Sequence, residues 1–351
     1  MIDPPNAAAE EVPTGGPPST QWVDKPDSPQ VRAALVDKIG AQQRKLATGN
    51  PDLGGRIDRG QHQKQLLGAF GTLHIRDDVP AQAKYPPFAA PGDYKVACRF
   101  SNGQSSPFPD QSPDVRCVAL KFFTNDGIET DLLITQEGGR SHARNAEQFM
   151  KAADILVDLQ VRGGRVQAAK DLVRGLISLD YNPLETLRVG TILARETVLR
   201  RAESLATGRY WGSVVKLGDY AIKYSLQPHP TTLPGTNADQ KDPDYLRHDL
   251  QNRLAQSSVR FQVCVQFFSD EKHTPVNNAS VAWKAPLVPV GDLEIPTPPT
   301  TDDERLINSM AFNPGHGFEP LGITHARVDV YEASARNRGA ATTDEIRHHF
   351  T

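Results

Sequence analysis

Four short runs crowd the stretch between residues 66 and 135: "LLGAFGTLHI", "YKVACRFSN", "VRCVALKFF" and "TDLLIT". They are rich in β-branched, aromatic and other apolar residues, and Gly, Asn and Asp break the chain between them. Such runs predict antiparallel strands. "YAIKYSLQP", "VRFQVCVQFF" and "VAWKAPLVPVGDLEI" repeat the pattern after residue 219. Between the two blocks, "NAEQFMKAADILVDLQ", "RVQAAKDLVRGLIS" and "PLETLRVGTILARETVLRRAESLA" change to helical periodicity. Strands in blocks, rather than in regular alternation with helices, argue against a doubly wound parallel sheet. They predict an α+β fold, with an antiparallel sheet or barrel and helices packed around it.

The ends complete this outline. "SPQVRAALVDKIGAQQRKLAT" reads as a helix with a serine cap. "GITHARVDVYEASARNR" reads as a closing helix, with Thr324 as its expected N-cap. Residues 1–30 are rich in Pro, Ala, Gly and Ser and read as a mobile tail or an arm draped over the body. Residues 31–351 are then expected to form a single domain.

Bulk properties narrow the function classes. The net charge of −3 and the scattered basic residues argue against a nucleic-acid partner. The three cysteines, Cys98, Cys117 and Cys264, form no metal-binding spacing, and Cys98 and Cys117 lie in apolar runs where burial is expected. No apolar stretch is long enough to span a membrane, and the N-terminal residues lack the pattern of a secretory signal. A cytoplasmic protein, monomeric or dimeric, is the expectation.

The motif "RVDVYEASARNR" carries chemistry. Arg327 and Tyr331 are four residues apart, and Arg338 follows seven later, so a helix presents all three on one side. A nearby cation favours a phenolate over a phenol. Tyrosinate is one of the few side chains used as an axial haem ligand. Arg338 would reach a carboxylate on the same face, such as a haem propionate. A second wall is offered by "RGQHQKQLLGAFGTL", where His62 follows Arg59 by three residues, and by "CRFSNG", with Arg99 and Ser101. Histidine suits peroxide cleavage, which needs a base that takes a proton from one oxygen and returns it to the other.

Taken in order, Arg-x-x-His, Gly-Ala-Phe-Gly, Arg-Phe-Ser, Asp-x-Arg-x-x-Ala-x-Lys-Phe, Asp-Leu and Arg-x-x-x-Tyr with Arg seven later resemble the catalase family. The likeness extends to the short catalase-related haem proteins, over about residues 55 to 340. It implies a catalase-like antiparallel β-barrel core with surrounding helices, the C-terminal helix carrying the haem-ligating tyrosine. It also implies haem b as cofactor, held by Tyr331 on iron with Arg327 as its charge partner. Arg59, Arg99 and Arg338 would bind propionates, and Phe149 would pack against the ring. His62 becomes the distal base, with Ser101 bonded to its imidazole.

The chain departs from the family's pattern on the distal side. Gln61 stands before His62 where catalases place an apolar residue, as catalase-related allene oxide synthases also have a polar residue there. The distal asparagine's place falls to Thr135 or Gln136, and Gln136 is taken to do part of its work through its amide. "EGGRSHAR" replaces an apolar segment, and one extra residue separates His62 from Gly-Ala-Phe-Gly. The leading expectation is a haem-dependent oxidoreductase that consumes hydrogen peroxide or an organic hydroperoxide, with dismutation not its main task. A fatty-acid hydroperoxide lyase or isomerase and a non-catalytic haem-binding protein are the alternatives. No Gly-x-Ser-x-Gly elbow supports a serine hydrolase.

Overall fold

The computed structural model describes residues 15–50, 53–136, 138–161, 183–193 and 202–350. Eight strands form the centre: β1 (Gln65–Ile75), β2 (Gly92–Asn102), β3 (Arg116–Phe123), β4 (Glu129–Thr135), β5 (Tyr210–Leu217), β6 (Tyr220–Pro228), β7 (Val259–Phe267) and β8 (Val288–Ile295). Each pairs antiparallel with its chain neighbour, and β1 also pairs with β8. One pair, Thr135 with Trp211, joins β4 to β5 and closes the ring. The result is an antiparallel β-barrel, with the two-residue strand Glu319–Pro320 added beside β5. The third of the late strand-like runs starts at Val288 rather than at Val281, because Pro286 interrupts it and the Trp283 indole is tied to the Pro275 carbonyl instead.

Alternation along each strand gives the barrel two kinds of surface. Phe100, Leu120, Leu132, Tyr224, Phe261 and Leu293 fill the interior. The opposite face of β2, β3 and β4 is organised by register into rows. Arg99, Ala119 and Leu133 stand directly across from one another, as do Ser101, Cys117 and Thr135. A third row holds Ala97, Lys121 and Asp131. Lys121 and Asp131 are fully buried and paired at 2.7 Å. Glu129 and His316 complete this group, with His316 Nδ1 2.8 Å from Asp131. Two cations face two carboxylates, so the cluster is balanced internally. Gly218 (φ +57) opens the two-residue β5–β6 turn, a position that favours glycine.

Helices surround the barrel: α1 (Pro29–Gly49), α2 (Ala146–Val161), α3 (Pro183–Leu193), α4 (Tyr245–Gln256), α5 (Thr301–Ser309) and α6 (Thr324–Asn337). Of these, α1, α2, α5 and α6 lie over the rows, while α4 packs its Tyr245, Leu246, Leu250 and Leu254 into the barrel core. Ser28 caps α1 as expected, accepting a hydrogen bond from the Val31 amide. Leu35 and Ile39 of α1, Ala146 and Met150 of α2, and Ala326 and Ala333 of α6 share one apolar core. α4 and α5 have no counterpart among the sequence-based expectations. The helical reading of 165–178 and of 194–201 lies outside the described residues, and 202–206, at the end of the third run, is not helical. Thr324 is the first residue of α6 and not its cap. Its hydroxyl donates to the Val214 carbonyl at 2.8 Å and so pins the helix to β5. Residues 15–28 run without regular structure across the body. The Trp22 indole donates to Asp219, and Asp24 meets the Gly322 amide and His325 at 2.7 Å each.

Candidate functional site

A cavity of about 110 Å³ lies between the outer face of β2–β4 and helices α1, α2 and α6. Arg327, Tyr331 and Arg338 all line it, as their spacing on one helix requires. Arg327 Nη2 donates to Tyr331 Oη at 3.3 Å, and the guanidinium carbon stands 5.5 Å from the phenol ring centre. Arg327 also donates to the Ser213 hydroxyl of β5, which steadies the cation beside the phenol oxygen.

At one edge of the cavity three guanidiniums converge. Arg99 is 3% exposed, while Arg59 and Arg338 are half-buried. Asn308 Oδ1 accepts from Arg59 and Arg99, at 3.3 and 3.2 Å. The Met310 carbonyl accepts from Arg59 at 3.0 Å and from Arg338 at 2.7 Å. The C-terminal end of α5 thus collects the cations, as the negative end of a helix favours. Carbonyls supply dipoles but no countercharge. Burial pushes Arg99 and Arg338 down to about 10, with Arg338 adding repulsion at Arg99. Arg59 is driven well below its ordinary value by burial and by both neighbours. Asp58 is the one carboxylate acting against this excess among the described residues. Such a cradle fits a ligand that brings two negative charges.

The facing wall holds His62, whose backbone φ of +59 is the one positive value among the described residues other than glycine. The left-handed region is uncommon for such residues and is enriched at functional positions. Its amide donates to the Gly103 carbonyl at 3.1 Å. Nδ1 lies 3.2 Å from the Asn102 carbonyl, an acceptor only, so Nδ1 carries the proton and Nε2 keeps its lone pair. Burial, then the charges of Arg99, Arg327 and Arg59, outweigh that bond and hold the imidazole down at about 3. His62 is therefore neutral across the physiological range. The extra residue before Gly-Ala-Phe-Gly coincides with a register shift between Gln65 and Leu67, a bulge that takes up one residue.

Two expectations need correction. Gln136 lines neither this cavity nor the one beside it; Thr135 lines both. Leu133 and Thr135 share a face of β4 by alternation, and Gln136 falls one step past the strand, where its backbone N–H donates to the Arg116 carbonyl. Ser101 is buried in the wall, but the imidazole bonds the carbonyl of Asn102, because His62 packs along the end of β2. Arg59, Arg99, Ser101, Phe149 and Gln61 all line the cavity. Arg116 is a structural residue, fully buried against Asn102 Oδ1, Asp110 and Asp114.

A wider chamber of about 310 Å³ adjoins the first. It shares His62, Cys117, Thr135, Phe149 and Tyr331 with the first, and runs on to Trp211, Trp283 and Lys223.

No family model matches the chain. A catalase-related peroxidase of Mycolicibacterium paratuberculosis (strain ATCC BAA-968 / K-10) is 29% identical over 299 residues, covering 78% of this chain and 88% of that protein. A fungal catalase structure superposes with a TM-score of 0.62 at 19% identity, over 80% of this chain and 59% of its own. A bacterial catalase structure gives 0.62 at 22% identity, over 98% of this chain and 69% of its own. The chain therefore spans less than two thirds of the fungal catalase's length. The barrel with its helical cover is the fold of those catalases, and the sequence is similar to that of a short, catalase-related protein over most of its length.

Proposed function

We propose that the chain is a haem-dependent oxidoreductase that consumes hydrogen peroxide or an organic hydroperoxide. The observation that carries this reading is a single cavity with a phenol–guanidinium pair on one wall and a neutral histidine on the other. Three arginines that lack balancing charge stand at its edge. Tyr331 Oη is the atom that would hold the iron, with the positive charge of Arg327 beside it. Arg59, Arg99 and Arg338 would pair with the two propionates. Leu133, Phe149, Met150, Phe312 and Val330 supply apolar walls. When bound, the haem supplies the electrons that reduce the peroxide bond. His62 moves the proton: Nε2 takes it from the inner oxygen of the peroxide and returns it to the outer oxygen as the O–O bond parts. Asn102 holds the imidazole in the tautomer this requires.

A second reading, rearrangement of an organic hydroperoxide without any reductant, is favoured by Gln61 and Thr135 in the cavity wall. Consumption of peroxide by haem-loaded protein, measured with and without an organic reductant, tests both. Loss of at least a hundredfold in His62→Gln supports the role of the base. Unchanged consumption in that variant would remove it.

A further inference from the structure

We infer that Asn308 is a positioning residue for the arginine cradle, aiming Arg59 and Arg99 at a dicarboxylate ligand while leaving their charge unspent. The inference rests on the haem reading above and deepens it at the propionate end of the site. Arg59 precedes β1, Arg99 lies on β2, and Asn308, in the last turn of α5, ties the two together. Asn308 Oδ1 accepts from Arg59 Nη1 at 3.3 Å, and from Arg99 Nε and Nη2 at 3.3 and 3.2 Å. Its carbonyl accepts from Arg59 Nη2 at 2.9 Å. The carbonyls of His62 and Gln63 also accept from Arg99 Nη2, at 2.9 and 3.3 Å. A planar guanidinium gripped at two of its nitrogens has its orientation fixed.

The acceptors around the three arginines share one property. Among the described residues, Asn308, Ser309, Met310, His62 and Gln63 supply them all, and every one is uncharged. Apart from Asn308 Oδ1 they are backbone carbonyls, whose charge no substitution alters. The Asn308 side chain is thus the one acceptor whose charge the sequence sets. Aspartate has the same shape, and a carboxylate bonds guanidinium groups more strongly than an amide oxygen does. The negative end of α5 opposes a carboxylate, but position 308 is exposed, where solvent and salt screen that effect. For the haem-free fold alone, aspartate is therefore the better residue. It would also neutralise the cradle before a ligand arrives. Asparagine keeps the geometry and reserves the positive charge for the ligand's carboxylates, a trade of stability for function.

The test titrates haem and its dimethyl ester, in which both propionate charges are removed, into haem-free wild type, Asn308→Asp and Asn308→Ala. Thermal unfolding of each haem-free protein is recorded beside it. In Asn308→Asp the haem-free melting temperature should hold or rise, while haem affinity falls by roughly tenfold or more. Affinity for the dimethyl ester should not fall. Asn308→Ala loses the oxygen but adds no charge, and should lose less haem affinity than Asn308→Asp. A residue that merely holds the fold would lower stability and affinity together, for both ligands alike. Unchanged haem affinity in Asn308→Asp, an equal loss with the ester, or a greater loss in Asn308→Ala overturns the inference and leaves the haem reading in place. Wild type that takes up neither haem nor its ester refutes the haem reading itself, and the inference with it.

Discussion

Arg327 Nη2 stands 3.3 Å from Tyr331 Oη, one helical turn away on the same face of α6, with its other end held by Ser213 of β5. The barrel thereby fixes a positive charge beside the oxygen proposed to meet iron. Replacing Arg327 with Gln removes the charge and keeps the size. Hydrogen bonds to charged groups contribute about 1.5–3 kcal/mol. Haem affinity is expected to fall by roughly tenfold or more on that basis, with a shifted ferric spectrum, in a titration of haem into the haem-free protein.

The arginine cradle leads to a different expectation. Arg338 raises the electrostatic cost of Arg59 and Arg99 while donating to Met310 and Ser309. In Arg338→Gln the relief of repulsion offsets the lost bonds. The haem-free melting temperature should change by no more than about 1.5 °C, which is about 1 kcal/mol for a chain of this size. The rise in melting temperature on adding haem should shrink, because ligand stabilisation grows with the logarithm of ligand concentration over Kd. A large loss of haem-free stability with an unchanged haem response would make the cradle purely structural.

His62, held at about 3, implies a pH profile without an acid limb near 6.5. The folded value lies below the unfolded one, so the unfolded chain binds the extra proton between about pH 6.5 and 3. Folding stability falls as pH drops through that window. The peroxide-consuming step should stay flat in pH from about 5 to 8. His62→Gln should lessen the acid sensitivity of unfolding measured in urea between pH 6 and 4.

His316 works in the opposite sense. Burial opposes its charge, but hydrogen bonds to Asp131 and Glu129 prevail and push it up to about 9. Its contribution is fully present below about pH 6.5 and is lost as pH rises toward 9. With a third of the side chain open to solvent, that contribution is about 1–2 kcal/mol. His316→Gln should be less stable than wild type at pH 6, and the gap should close by pH 9.

The strands other than β5, and α1, α2 and α6, were legible because each repeats a period over enough residues to be read; β5 was not read as a strand. The closure of the barrel was not, since it depends on one pair, Thr135 with Trp211, far apart in sequence. Tyr331, Arg327 and Arg338 could be grouped in advance because one helix carries them. Asn308 and the Met310 carbonyl could not: an acceptor at a helix end leaves no residue pattern, and α5 itself was not read. The same reason hid the Asn102 carbonyl behind Ser101. Gln136 was chosen over Thr135 by a slip of one residue, and in a strand that slip reverses the face.

The visible absorption spectrum of the haem-supplied protein, beside that of Tyr331→Phe, tests the central claim most directly. A ferric spectrum of the tyrosinate type in wild type, lost or altered in the variant, is the predicted result. Identical spectra in the two proteins, or no haem retained by either, would contradict the assignment of Tyr331 as the iron ligand.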